Sequence, residues 1–297
     1  MFSGALTALI TPFRNGEVDV EALENLVEFQ VRQGIHGLVP CGTTGETPTL
    51  SEKEDRVVIE TTVRVAGGRV PVVAGTGSNS TEMAIKYTRM AEEAGADGSL
   101  QVVPYYNKPT QEGLYRHFAA IAESTDLPLV LYNIPGRTGV AISAETTARL
   151  AEIPNVVGTK EATHSMDVTS DIRRLCGQEF SILAGDDPLA LPIMALGGNG
   201  VISVSGNIAP GAMSDLMDAL REGDWDRGRS LHYEMLPLFR ALFVETNPIP
   251  VKTAASLIGL CSDEMRLPLS PMEGENLRRL QEVLDHATHL LPTPEEV

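Results

Sequence analysis

The stretch Val156-Val157-Gly158-Thr159-Lys160 decides how this chain is read. A short β-branched run without polar alternation is the pattern of a parallel strand buried on both faces, and this one ends on a lysine. A lysine amine titrates near about 10.4 in water, and losing that water favours the neutral, nucleophilic form. Lys160 at a strand end is therefore a Schiff-base candidate. The chain has only five lysines, and the other four read as ordinary. Lys53 lies in the charged helix start Ser51-Glu52-Lys53-Glu54-Asp55, Lys86 and Lys252 sit in helical patterns, and Lys108 precedes a proline in a polar loop.

Working outward, similar runs recur at 5–10, 37–40, 70–74, 98–103, 128–132, 156–159, 180–183 and 200–204, with amphipathic stretches between them. Leu23, Leu26, Val27 and Val31 fall at helical spacing before a stop at Gly34, and Ser51 with Glu54 forms a capping-box pattern. Alternating β and α segments of this number predict an α/β fold, the (β/α)8 TIM barrel, over residues 1–222. From 223 to 297 the strands stop. Helical patterns at 225–243, 250–260 and 271–291 predict a C-terminal helical extension that covers a face of the barrel or joins subunits.

The composition narrows the function. The 297 residues carry a formal net charge of −17, which opposes binding to nucleic acid phosphates and to acidic membranes. No apolar run is long enough to span a bilayer, and the N-terminus lacks the basic leader and cleavage pattern of a signal peptide. Cys41, Cys176 and Cys261 are odd in number and far apart, which fits a reducing cytoplasm rather than a disulfide framework. They show no metal-ligand spacing.

In such a barrel the reactive groups gather at the carboxyl ends of the strands. After the second strand comes Cys41-Gly42-Thr43-Thr44-Gly45-Glu46, whose glycines permit a tight path while hydroxyls and amides face one point, an arrangement suited to a carboxylate. The fifth strand ends Tyr132-Asn133-Ile134-Pro135-Gly136-Arg137-Thr138-Gly139, giving a phenol and a guanidinium beside Lys160. The fourth ends Val103-Pro104-Tyr105-Tyr106-Asn107 and adds two phenols. Nucleophile, acid/base and anion-binding groups thus fall on neighbouring strands.

The motifs Gly42 to Glu46, Tyr132 to Gly139 and Gly158-Thr159-Lys160-Glu161-Ala162 resemble the dihydrodipicolinate synthase and N-acetylneuraminate lyase superfamily, most closely its dihydrodipicolinate synthase branch. The likeness covers nearly the whole chain. It implies a class I aldolase-like lyase of diaminopimelate and lysine biosynthesis, condensing pyruvate with L-aspartate 4-semialdehyde, with no metal or organic cofactor beyond the imine on Lys160. It further implies that Tyr132 is the proton donor and acceptor, that Thr44 relays protons with Tyr132 and with Tyr106 from a neighbouring subunit, and that Thr43 holds the pyruvate carboxylate. Arg137 would bind the semialdehyde carboxylate, and Gly185 and Ile202 would line the pocket through their backbone. The family commonly assembles as a homotetramer, a dimer of dimers.

The chain departs from lysine-inhibited relatives: Glu52, Asp55 and Met83 stand where those place histidines and a glutamate, although Asn79 and Tyr105 match. Inhibition by lysine is expected to be weak or absent. The rival reading is a pyruvate-dependent sugar-acid aldolase of the N-acetylneuraminate or 2-keto-3-deoxygluconate type, which generally lacks an arginine at the position of Arg137. A catalytically silent barrel is disfavoured by the presence of both Lys160 and Tyr132. The six histidines are scattered, Cys41 reads as packing, Trp225 as packing of the extension, and Asp186-Asp187 as a cap for the following helix.

Overall fold

Eight strands hydrogen-bond in parallel: β1 Gly4–Ala8, β2 Gly37–Val39, β3 Val73–Gly75, β4 Gly98–Val102, β5 Leu129–Asn133, β6 Val156–Glu161, β7 Ser181–Ala184 and β8 Gly200–Ser203. β1 pairs with both β2 and β8, and a parallel bridge from Leu38 to Val72 joins β2 to the start of β3, closing the ring. This computed structural model describes residues 2–293. Helices α1 Val20–Arg32, α2 Glu52–Ala66, α3 Thr81–Glu93, α4 Gln111–Ala122, α5 Ala144–Ala151, α6 Met166–Cys176, α7 Ala190–Ala195 and α8 Pro210–Arg221 alternate with the strands. The expected TIM barrel is the observed one.

Residue alternation along the strands divides the apolar side chains into two sets. Leu6, Val39, Val73, Leu100, Val130, Leu183 and Ile202 point inward and fill the barrel, while the larger core packs the outer strand faces against the helices. Phe2 closes the amino-terminal end. A Cβ on Gly98 would lie 2.6 Å from the Phe2 ring, and Ser181 Oγ donates to the Phe2 carbonyl at 2.6 Å. The floor is thus sealed by a side chain that only a glycine opposite it can admit.

All eight expected strands are present, with shifted ends. The third starts later, beyond Pro71, which has no N–H for the ladder. β6 runs past the expected end at 159 to Glu161, so Lys160 lies within the ladder. A short hairpin, Phe13–Arg14 with Glu17–Val18, was not anticipated. Its turn is Asn15-Gly16, with φ of 56° and 82°, a two-residue signature that the sequence displays. Ser51 and Glu54 form the capping box foreseen for α2.

Beyond the barrel, α9 Trp225–Ala241, α10 Ile249–Leu257 and α11 Gly274–His286 realise the predicted extension. α9 packs on α8 and α11, and α11 packs on α10. Trp225 packs against the core as expected. Residues 294–297 of the predicted second region lie outside the described residues.

Candidate active site

Tyr132 and Lys160 are direct neighbours in the β5–β6 register, and both point into the barrel mouth. Lys160 Nζ lies 4.3 Å from the centroid of the Tyr132 ring. The next pair in register, Asn133 and Glu161, points outward. There Asn133 Nδ2 donates to Ile142 O at 3.1 Å and to Glu161 Oε2 at 3.2 Å, while Glu161 Oε1 accepts from Thr163 N at 2.7 Å. These buried bonds fix the strand tips, and the alternation then fixes where the amine and the phenol stand.

Both groups have lost their water, with Lys160 6% and Tyr132 5% exposed. Burial lowers the Lys160 ammonium to about 8, against opposing pulls from Asp186 and Asp187 and with a smaller lowering from Arg137. Burial pushes the Tyr132 phenol up to about 12, moderated by the positive charge of Arg137. At neutral pH the phenol holds its proton, and a usable share of the amine is neutral. This is the pairing that imine chemistry needs.

The Gly42 to Glu46 loop reaches this pair from β2. Thr11 Oγ1 donates to Gly45 O at 2.7 Å, and a Cβ on Gly45 would sit 3.1 Å from Leu9 O, so this glycine allows the close approach. The two threonines stand differently from the expectation. Thr43 lines the same cavity as Tyr132, and Thr44 does not. Thr44 is turned to the other side, where its Oγ1 accepts from Asn247 Nδ2 at 3.0 Å. Adjacent residues in a tight loop point apart, so the loop can present only one of them to the phenol.

Arg137 rises on the helical turn Pro135–Thr138, and one of its Nη atoms donates to Asn247 O at 3.0 Å. With Thr43, Tyr132, Ile134 and Thr138 it lines a cavity of about 400 Å³ that continues past Asp55, Ser78 and Met83 to Tyr105. Gly185 follows β7, its N–H bonded to Glu161 O at 2.8 Å, and a Cβ there would meet Ala162 Cβ at 2.6 Å. Ile202 is fully buried, its side chain in the inner barrel cluster. Tyr106 is not brought to this cavity: it is 89% exposed, on backbone with φ of 71°. Among the described residues no group of three or more His, Cys, Asp or Glu is disposed to hold a metal ion, and no helix is long and apolar enough to cross a membrane.

The dihydrodipicolinate synthetase family matches residues 1–287. The chain belongs to this family. It is 53% identical to the 4-hydroxy-tetrahydrodipicolinate synthase of Thermodesulfovibrio yellowstonii over 97% of this chain and 99% of that protein. The crystal structure of dihydrodipicolinate synthase from Aquifex aeolicus superposes with a TM-score of 0.96 at 52% identity, covering 98% of this chain and 100% of that one. The chloride-inhibited dihydrodipicolinate synthase of Acinetobacter baumannii, solved with pyruvate, superposes at 0.95 with 45% identity over 97% and 99% of the two chains. The synthase function and lyase class implied by the resemblance rest on these full-length matches.

Several residues around the family's motifs escaped the reading of the sequence. Lys252, taken as an ordinary helical lysine, is fully buried and pairs with Glu46 at 2.6 Å, with its Nζ 4.0 Å from the Phe13 ring centroid. Arg266 N donates to the other Glu46 oxygen at 3.3 Å. The expected Asp186-Asp187 cap is absent, since the short turn Asp187–Leu189 has no side-chain cap. Instead Asp187 Oδ2 accepts from Ser205 N at 2.8 Å and Ser205 Oγ at 2.7 Å, and Asp186 pairs with His164. Cys41 is buried, its thiol pushed well above the ordinary range by burial, in keeping with a packing role. Each missed contact is made to a residue distant in sequence, and local pattern carries no trace of it.

Proposed function

We propose that the chain condenses pyruvate with L-aspartate 4-semialdehyde through an imine on Lys160. The observation that carries this reading is a buried amine with its pKa lowered to about 8, against the face of a phenol that holds its proton. The neutral Lys160 attacks the pyruvate carbonyl carbon, and the Tyr132 phenol gives a proton to the carbonyl oxygen. Protonation and loss of that oxygen as water leave the iminium. Its electron withdrawal acidifies the methyl group, and loss of a methyl proton gives an enamine that attacks the aldehyde carbon. The amine of the bound product then attacks the imine carbon, closes the ring, and releases Lys160 by transimination. No metal or organic cofactor takes part in this scheme.

In this reading Thr43, beside Tyr132, carries the proton relay, and Thr44 with the loop amides holds the pyruvate carboxylate, an exchange of the roles first expected. Arg137 binds the semialdehyde carboxylate, and the backbone of Gly185 and Ile202 borders the pyruvate. The exposed Tyr106 completes the relay of a neighbouring subunit in a dimer of dimers, and the enzyme works in the cytoplasm. Arg137 favours this substrate over a sugar-derived aldehyde, which offers hydroxyls in place of a carboxylate. Borohydride trapping with labelled pyruvate, followed by peptide mass analysis, is expected to tag Lys160. A tag elsewhere, or none, rejects the mechanism. A panel of aldehydes with pyruvate is expected to rank aspartate semialdehyde first.

A further inference from the structure

Asn247 lies buried in the turn between α9 and α10, outside the barrel, yet it touches both anion-facing residues of the site. Its side-chain Nδ2 donates to Thr44 Oγ1 at 3.0 Å, and its backbone carbonyl accepts from Arg137 at 3.0 Å. Its Oδ1 is buried and, among the described residues, has no hydrogen-bond partner. A buried amide oxygen without a donor costs stability, so packing alone does not account for an asparagine here. The polarity of the bond to Thr44 matters more. A hydroxyl that accepts from an amide N–H keeps its own proton to give, and among the described residues Thr44 donates it to no side chain. The base of the same loop is fixed from the adjoining helix α10 through the Glu46–Lys252 ion pair.

We infer that Asn247 is a positioning residue that aims the Thr44 hydroxyl proton at the pyruvate carboxylate and links that anchor to Arg137. The inference rests on the proposed pyruvate reading and adds to it a specificity element supplied by the C-terminal extension. It also sets the required chemistry at position 247: a side chain that donates, not one that accepts. A carboxylate there would take the Thr44 proton and place negative charge against the substrate's own.

Asn247→Asp is the sharp test, because it preserves shape and reverses the hydrogen bond. The KM for pyruvate is expected to rise about ten- to a hundredfold, with kcat at saturating pyruvate within about threefold, the signature of lost ground-state binding. Asn247→Ala, which removes the donor without adding charge, is expected to raise it less. The KM for aspartate semialdehyde should change little in either variant, since the backbone carbonyl still holds Arg137. An aspartate variant with pyruvate KM within about twofold of the parent, or one better than alanine, overturns the inference. Should the aspartate variant fail to fold, Asn247→Ala combined with Thr44→Val decides: additive effects on pyruvate KM reject the coupling, and strongly sub-additive effects support it. Borohydride trapping of the unsubstituted enzyme separates the two levels, because absence of a Lys160 adduct there sinks the pyruvate reading itself.

Discussion

Replacing Lys160 with methionine is expected to abolish turnover and to make the protein more stable. The folded amine titrates at about 8, against 10.5 for the free group, because burial disfavours its charge. Between those values the unfolded chain binds a proton that the folded chain does not, so stability rises with pH across that window. Below it the folded state bears the whole penalty of about 3 kcal/mol, at about 1.36 kcal/mol per pKa unit. Methionine has a similar length and no charge to desolvate. The variant should therefore gain up to about 3 kcal/mol at neutral pH, and less than half of that near about pH 9.5. Urea unfolding of both proteins at equal concentration and at the two pH values measures the difference. Equal stability at neutral pH, or a gain independent of pH, would refute the idea that desolvation poises the amine. The same shift leaves about a tenth of the amine neutral at pH 7, ~300-fold more than an unshifted lysine, so imine trapping should climb with pH and level off above about 8.

Arg137→Ala should raise the KM for aspartate semialdehyde about ten- to a hundredfold while pyruvate trapping on Lys160 persists, and unchanged steady-state kinetics would remove the argument for this aldehyde. Glu46→Gln or Lys252→Met alone should each cost about 3–5 kcal/mol by stranding a buried charge, whereas the double variant should recover most of that loss; additive losses in a denaturant-unfolding cycle would contradict a coupled pair. Millimolar lysine should leave turnover nearly intact, because Met83 presents no charge to an ammonium and Glu52 is engaged by Lys86; strong suppression in a rate assay would show otherwise.

Periodicity explains why the barrel could be read so far in advance. Most strands are short apolar runs closed by a glycine, proline or polar residue, and that pattern is local. The same logic placed Lys160 and Tyr132 at the mouth, since residues at matching strand ends must become neighbours. It failed where neighbours come from afar. Asn247 reaches Thr44 across 203 positions and Lys252 reaches Glu46 across 206, and helical spacing around either residue gives no hint of a buried polar partner. At Thr43 and Thr44, likewise, no periodicity says which hydroxyl turns toward Asn247. Asp187 shows a third kind of miss: the short turn after β7 leaves its carboxylate to Ser205 rather than to the helix that follows.

The position of Asn247, Lys252 and Arg266 after the last barrel strand bears on biosynthesis. During translation every barrel strand leaves the ribosome before the counter-charge for Glu46 has been made. Until that last segment docks, the nascent barrel holds a lone carboxylate at its mouth and an untethered Thr44. The loop that carries Glu46 and Thr44 is therefore fixed by docking of α10, not by closure of the sheet.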